Sequence, residues 1–244
     1  MFPIYICYDS TIKEAEKKAI RQGLMEIRSI FVGSDIFLYG TSEWSEGSYR
    51  SADQLIASAK RNKFGRINGE ALMDKLNDLN DSWTVPGAII LITSEDLYSD
   101  YHNLEWCMGL AKGYASVQSV RRFRGLSDEE ESICIRRTLR HELGHIFGCP
   151  SPGRTNTDKS YGYHCTNYCC SMQQIRDVRQ LLGKAIHEDP TNCFCPQCMR
   201  DLQIARMRYD ADEQKRLSFQ QSRGALPRTP APIRRMVQRA DIAG

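Results

Sequence analysis

The segment Ser127–Gly148, SDEEESICIRRTLRHELGHIFG, constrains this chain more than any other. Ser127 and Glu130 have the spacing of a capping box, Ile133, Ile135, Leu139, Leu143 and Ile146 follow at near-helical intervals, and Gly148 stands where a helix uses a residue of positive φ to stop. The fold must therefore house a long helix with a defined beginning and end. That helix carries His141 and His145 four residues apart, on one face with Cβ atoms about 5–6 Å from each other. Two imidazoles so placed can reach one Zn²⁺ at about 2.0–2.1 Å. Glu142 beside them can take a proton from water activated at the metal and hand it to a leaving amine. Histidines also share helices by accident, and the Gly148 turn is what adds weight to the metal reading. It can return a third ligand from the following segment and leave the fourth metal position open, as a catalytic site needs. His164 is the candidate for that ligand, with Cys149 and Asp158 as alternatives, whereas His102 and His187 read as solvated or structural side chains.

Ten cysteines raise the question of compartment. The start, MFPIYICYDS, has neither a basic n-region nor a small-residue cleavage site, so a cytoplasmic, reducing setting is expected, where clustered thiols hold metal more often than they form disulfides. Cys195 and Cys198 have the C-x2-C knuckle spacing and Cys165 with Cys170 a looser C-x4-C, together enough for one closed four-thiolate zinc site. Cys169 and Cys193 flank these pairs and could substitute in register. Cys7, Cys107 and Cys134 fall in strand or helix patterns and read as small core residues.

Around the long helix, strand and helix signals alternate, which argues an α/β layer with a largely parallel sheet. Strands are expected at 3–8, 30–39 and 87–93, the last buried on both faces, and 115–121 (ASVQSVR) reads as an exposed or edge strand. Helices are expected at 11–29, 52–60, 68–79, 173–188 and 199–221, with a mobile tail beyond Arg223. The longest apolar stretch, around Gly87 to Ile92, falls far short of the ~20 residues that span a bilayer. The net charge of +3 hides an asymmetry: residues 199–244 carry ten Lys and Arg against five Asp and Glu. That basic tail offers a surface for a further partner. Nucleic acid is a poor fit, since Tyr209 and Phe219 are its only aromatics.

HELGHIFG, then HCTNYCCSM, then CPQC resemble, in this order, the archaemetzincin pattern of metallopeptidases. LITSEDLYSD and the stretch 109–124 are similar to the family as well, so the resemblance covers about residues 85–198, and the first 80 match only in pattern. The resemblance implies that His141, His145 and His164 hold a catalytic zinc with Glu142 as general base, and that Met172 forms the turn beneath the metal. It implies a second, structural zinc on Cys165, Cys170, Cys195 and Cys198, making two zinc ions per chain. It also implies an α/β fold: a metzincin-like mixed sheet with backing and active-site helices, above a smaller C-terminal zinc-stabilised helical subdomain. Residues 1–198 would then form the catalytic domain, 1–148 above the cleft and 149–198 below it, followed by a basic helix and tail over 199–244. One departure stands out. The family places its third histidine six residues after the second, where this chain has Ser151, and His164 comes nineteen after His145. The inserted loop, CPSPGRTNTDKSYGY, is thermodynamically cheap and could shape specificity or block access.

Two readings of function follow. In the first, the chain is a zinc metallopeptidase acting on a peptide or protein, with the strand at 115–121 pairing with extended substrate and Tyr161, Tyr163 or Tyr168 as candidate oxyanion stabilisers. In the second, it is a catalytically silent zinc-stabilised interaction module whose cleft is occluded by the 149–163 loop. Glu142 favours the first, because a silent module has no physical need for a carboxylate beside the metal.

Overall fold

The computed structural model describes residues 4–28, 36–39, 51–81 and 87–208. In chain order the elements are β1 (Ile4–Tyr8), α1 (Glu14–Arg28), β2 (Ile36–Tyr39), α2 (Ala52–Ala57), β3 (Ile67–Asn68), α3 (Gly69–Asp81), β4 (Ala88–Thr93), β5 (Leu97–Ser99), β6 (Leu104–Cys107), β7 (Gly109–Lys112), β8 (Ala115–Ser119), α4 (Asp128–Ile146), β9 (Thr157–Asp158), β10 (His164–Cys165) and α5 (Val178–Ala185). A last described helix covers 196–208. Five strands form the main sheet in the order β2-β1-β4-β8-β7, parallel throughout except for β7, which runs antiparallel to β8. A three-stranded sheet, β3-β5-β6, and the small β9–β10 ladder complete the pairing. None of the described helices is long and apolar enough to cross a membrane.

Strand alternation explains the layers. Successive side chains point to opposite faces, so Ile4 and Ile6 of β1 and Ile90 and Ile92 of β4 join one core with α1 and α4. Tyr5, Cys7, Ile89 and Leu91 join a second core with α2 and α3. All six residues of β4 are buried, as expected of a central strand covered on both sides. Across the first core, Ala19, Ile20, Leu24 and Ile27 of α1 are buried in one cluster with Ile135, Leu139 and Leu143 of α4. Each large aliphatic so buried contributes roughly 1.5–3 kcal/mol, and together they hold α4 rigidly beneath the sheet. The three cysteines read as core residues, Cys7, Cys107 and Cys134, are all buried.

Several expectations change in the structure. The strand expected at an edge, 115–121, is β8 (Ala115–Ser119), which lies inside the sheet between β4 and β7 with all five residues buried. Its polar residues alternate because one covered face is polar: Gln118 donates from Nε2 to Ile135 O at 3.0 Å under α4. The edge strand on that side of the sheet is β7. The helix expected from Gln173 begins only at Val178, because Asp177 caps it by accepting from Gln180 N at 3.0 Å, and residues 173–177 run outside it. α2 stops at Ala57, where Ser58 turns its hydroxyl back to Leu55 O at 2.7 Å. The expected strand residues 30–35, helix residues 209–221 and the tail lie outside the described residues.

Candidate metal centres

α4 begins as its sequence dictates. Ser127 N donates to Glu130 Oε2 at 2.9 Å, Glu130 N donates back to Ser127 Oγ at 3.4 Å, and four acidic residues occupy the first turn at the positive end of the helix dipole. It ends at Phe147, and Gly148 adopts φ +73° to turn the chain. The chain then runs through the inserted loop to β9, which pairs antiparallel with β10, Asp158 opposite His164 and Thr157 opposite Cys165. That ladder delivers His164 to the two histidines of α4.

The three imidazoles converge. His145 Nε2 lies 3.1 Å from His141 Nε2 and 3.2 Å from His164 Nε2. The edge of a tetrahedron with metal–nitrogen bonds of 2.0–2.1 Å is about 3.3 Å, so the donor set fits a zinc ion. His141 Nδ1 donates to Ser171 O at 2.7 Å, which leaves its Nε2 lone pair facing the other two rings. Burial holds all three rings neutral, pushing His145 down to about 3, His164 down to about 4 and His141 well below its usual value. Beneath them Met172 is fully buried, its sulfur packed so closely on Gly144 that a Cβ there would collide with it. Neither alternative third ligand joins the group: Cys149 Sγ contacts Cys198 O at 3.7 Å, and Asp158 accepts from Ser160 N at 2.9 Å.

Glu142 faces a cavity of 360 Å³ that also exposes the three histidines. Its carboxyl is buried, makes no hydrogen bond among the described residues, and is pushed up to about 8 by that burial. It packs against Gly109 of β7, where any side chain would strike it. β7 forms one wall and residues 173–176 another, with His102 at the rim despite its bland sequence context. Tyr161 and Tyr163 line the cavity, so the inserted loop forms part of its wall. Tyr168 is exposed, under the Lys184 ammonium, and His187 is exposed just past the end of α5, and neither lines the cavity.

The second cluster gathers Cys165, Cys170, Cys195 and Cys198, all buried and with sulfurs within 4.8 Å of one another. Cys165 Sγ and Cys195 Sγ are 3.7 Å apart, against about 3.8 Å for the edge of a tetrahedron with 2.3 Å metal–sulfur bonds. Hydrogen bonds from the Cys170 and Cys198 thiols pull the Cys165 thiol far below its usual value. Cys169, exposed, and Cys193, buried nearby, stay out of the cluster.

Sequence reasoning missed what surrounds this cluster. Arg154 of the inserted loop donates from Nη1 to Cys198 Sγ at 3.2 Å and to Asp201 at 2.6 Å, and from Nη2 to Cys165 Sγ at 3.6 Å. Asp201 also accepts from Ser151 N at 3.0 Å and Ser151 Oγ at 2.8 Å. Asn156 approaches Cys165 Sγ at 3.9 Å. Ser151, six residues after His145, anchors the loop to the helix over 196–208.

No protein-family model matches the sequence, and no curated protein does. Among solved structures, archaemetzincin from Methanopyrus kandleri superposes with a TM-score of 0.61 at 20% identity, over 84% of this chain and 94% of its own. A zinc-dependent peptidase from Methanocorpusculum labreanum gives 0.56 at 17% identity, over 82% and 99%. Archaemetzincin from Archaeoglobus fulgidus, complexed with malonate, gives 0.50 at 17%, over 82% and 99%. This chain, with its mixed sheet, its helices and its two ligand clusters, has the archaemetzincin fold.

Proposed function

We propose that this chain is a zinc-dependent metallopeptidase, with His141, His145 and His164 holding the catalytic ion and Cys165, Cys170, Cys195 and Cys198 a structural one. The observation that carries the reading is the convergence of three neutral imidazoles, at tetrahedral spacing, beside the unpartnered carboxyl of Glu142 in an open cavity. Zinc held there supplies the Lewis acidity that polarises a peptide carbonyl and eases loss of a proton from water. Glu142 accepts that proton and returns it to the leaving amine, a role that its place beside the three histidines in the cavity wall suits. The free edge of β7 offers backbone groups to an extended peptide, taking the role first assigned to 115–121. Residues to Gly148 form the wall above the cleft in this reading, and 149–198 the wall below.

Glu142→Ala is the test. The variant should keep two zinc ions and the wild-type melting temperature while cleavage of a peptide library falls by roughly 10²–10⁴, the usual worth of a positioned proton carrier. Cleavage at the wild-type rate would remove the mechanism.

A further inference from the structure

One turn before His141, the cavity wall contains an unused polar pocket. Arg137 and Thr138 of α4 line it although they are only 2% and 4% exposed. Gln174 lies in the facing wall, and Leu181 of α5 adds an apolar surface. Thr138 Oγ1 has no hydrogen-bond partner among the described residues, although a helical threonine commonly bonds back to a carbonyl of the preceding turn. Gln174 Oε1 is also buried and unpartnered among the described residues. Arg137 spends Nε on Glu188 at 2.7 Å and Nη2 on Cys170 O at 3.3 Å, and Nη1 donates no hydrogen bond to the described residues. An orphaned buried polar group costs about 1–3 kcal/mol, and two of them, with an unspent guanidinium nitrogen beside them, at one end of the cavity point to a ligand that satisfies them.

Charge selects the ligand. Arg137 and Arg140 share Glu188, and Arg140 and Arg136 share Glu26, so three guanidiniums meet two carboxylates. Arg176, stacked 3.8 Å over the Tyr161 ring, adds a positive charge to the same wall, and Lys184 Nζ donates to Gln173 Oε1 of that wall. Glu142 is the only acidic residue lining the cavity among the described residues.

We infer that this pocket receives the side chain next to the scissile bond and that it selects a carboxylate, Asp or Glu. The inference rests on the peptidase reading for its substrate class, and deepens it. The Thr138 hydroxyl, Arg137 Nη1 and the Gln174 amide, turned to present its NH₂, are the donors that hold the carboxylate.

Binding tests this without hydrolysis. Zinc-loaded Glu142→Ala protein is titrated by fluorescence anisotropy with labelled hexapeptides carrying one Glu, Gln or Leu at each position in turn on an Ala-Gly background. At one position Glu should bind at least about tenfold tighter than Leu, with Gln between them. Thr138→Val in the same background should shrink that ratio to about threefold while leaving zinc content unchanged and the melting temperature equal or higher, since the hydroxyl has no partner to lose. Gln174→Leu, in the opposite wall, should narrow the ratio without touching α4. Leu binding as well as Glu at every position, or a Glu preference unaffected by both variants, overturns the inference. Digestion of the same peptides by the wild type separates the two claims: acidic preference in binding without any cleavage supports the pocket and removes the peptidase, and cleavage with no acidic preference does the reverse.

Discussion

Two halves of the histidine cluster reach the same point by different physics. His141 and His145 ride on α4, a helix capped at its first turn and buried against α1 and the sheet, so backbone hydrogen bonds and aliphatic packing place them. His164 sits on a two-residue strand whose ladder partner is another two-residue strand. What else holds it is cross-linking: Cys165 in the thiol cluster, and Arg154 with Asn156 reaching that cluster from the inserted loop. One half is fixed by regular structure. The other needs a staple, as small lobes with little apolar core usually do.

The sharpest way to break this asymmetry is to remove the staple. Because His164 and Cys165 are consecutive, a metal on the thiols fixes the backbone that aims the imidazole. Cys198→Ser should lower zinc content from two ions toward one and weaken the histidine site by roughly ten- to a hundredfold, the usual effect of losing an outer support. The helical circular dichroism of α1 and α4 should stay intact. Chelator competition reads both affinities. Normal affinity at the histidines in Cys198→Ser would show that the loop aims His164 unaided.

Arg154→Ala comes next in size. It removes the cation that, among the described residues, contacts both Cys165 and Cys198, and it breaks the ion pair with Asp201. Zinc should leave the thiols for a chelator about tenfold faster, with a smaller loss at the histidines. Arg154→Lys should not rescue it, since a single ammonium cannot reach two sulfurs and a carboxylate as a guanidinium fork does. Full rescue by Lys would reduce the role of Arg154 to charge alone.

The same asymmetry governs what the sequence could reveal. Ser127, Glu130, the apolar spacing and Gly148 lie within one segment, so α4 could be read before any tertiary contact was known. The thiols that come together could be grouped because C-x2-C and C-x4-C are local geometries. Arg154 could not, because its partners Cys198 and Asp201 lie 44 and 47 residues away and nothing near it in the loop marks it. The same holds for Thr138 and Arg137, which read as ordinary helix residues until the facing wall is in place. β8 misled because alternation records which side chains are polar and carries no information about what lies on the polar face. The edge on that side, β7, is four residues that begin at Gly109 and are followed by Gly113, too short for a periodicity to show.

The smallest effect separates the loop's own bracing from the metal's. Asp201 is partly buried, which raises its carboxyl, but hydrogen bonds from Ser151 N, Arg154 and Ser151 Oγ outweigh that and hold it below its usual value. A carboxylate depressed in the folded state contributes stability that is fully present above its unfolded pKa of about 3.9 and is lost as pH falls through the lower folded value. Asp201→Asn removes that contribution at every pH. The wild type should therefore melt a few degrees above Asp201→Asn at pH 7 and keep the same margin at pH 5.5, with the two curves meeting only below about pH 4. Thiol ligands take up protons as the metal leaves, so the comparison is run in parallel on protein stripped by chelator. If the margin survives stripping, the loop from Ser151 to Arg154 is braced on the helix over 196–208 by its own contacts, and the metal adds to a position already set. A margin that vanishes with the zinc would make the loop, like His164, a dependant of the thiol cluster.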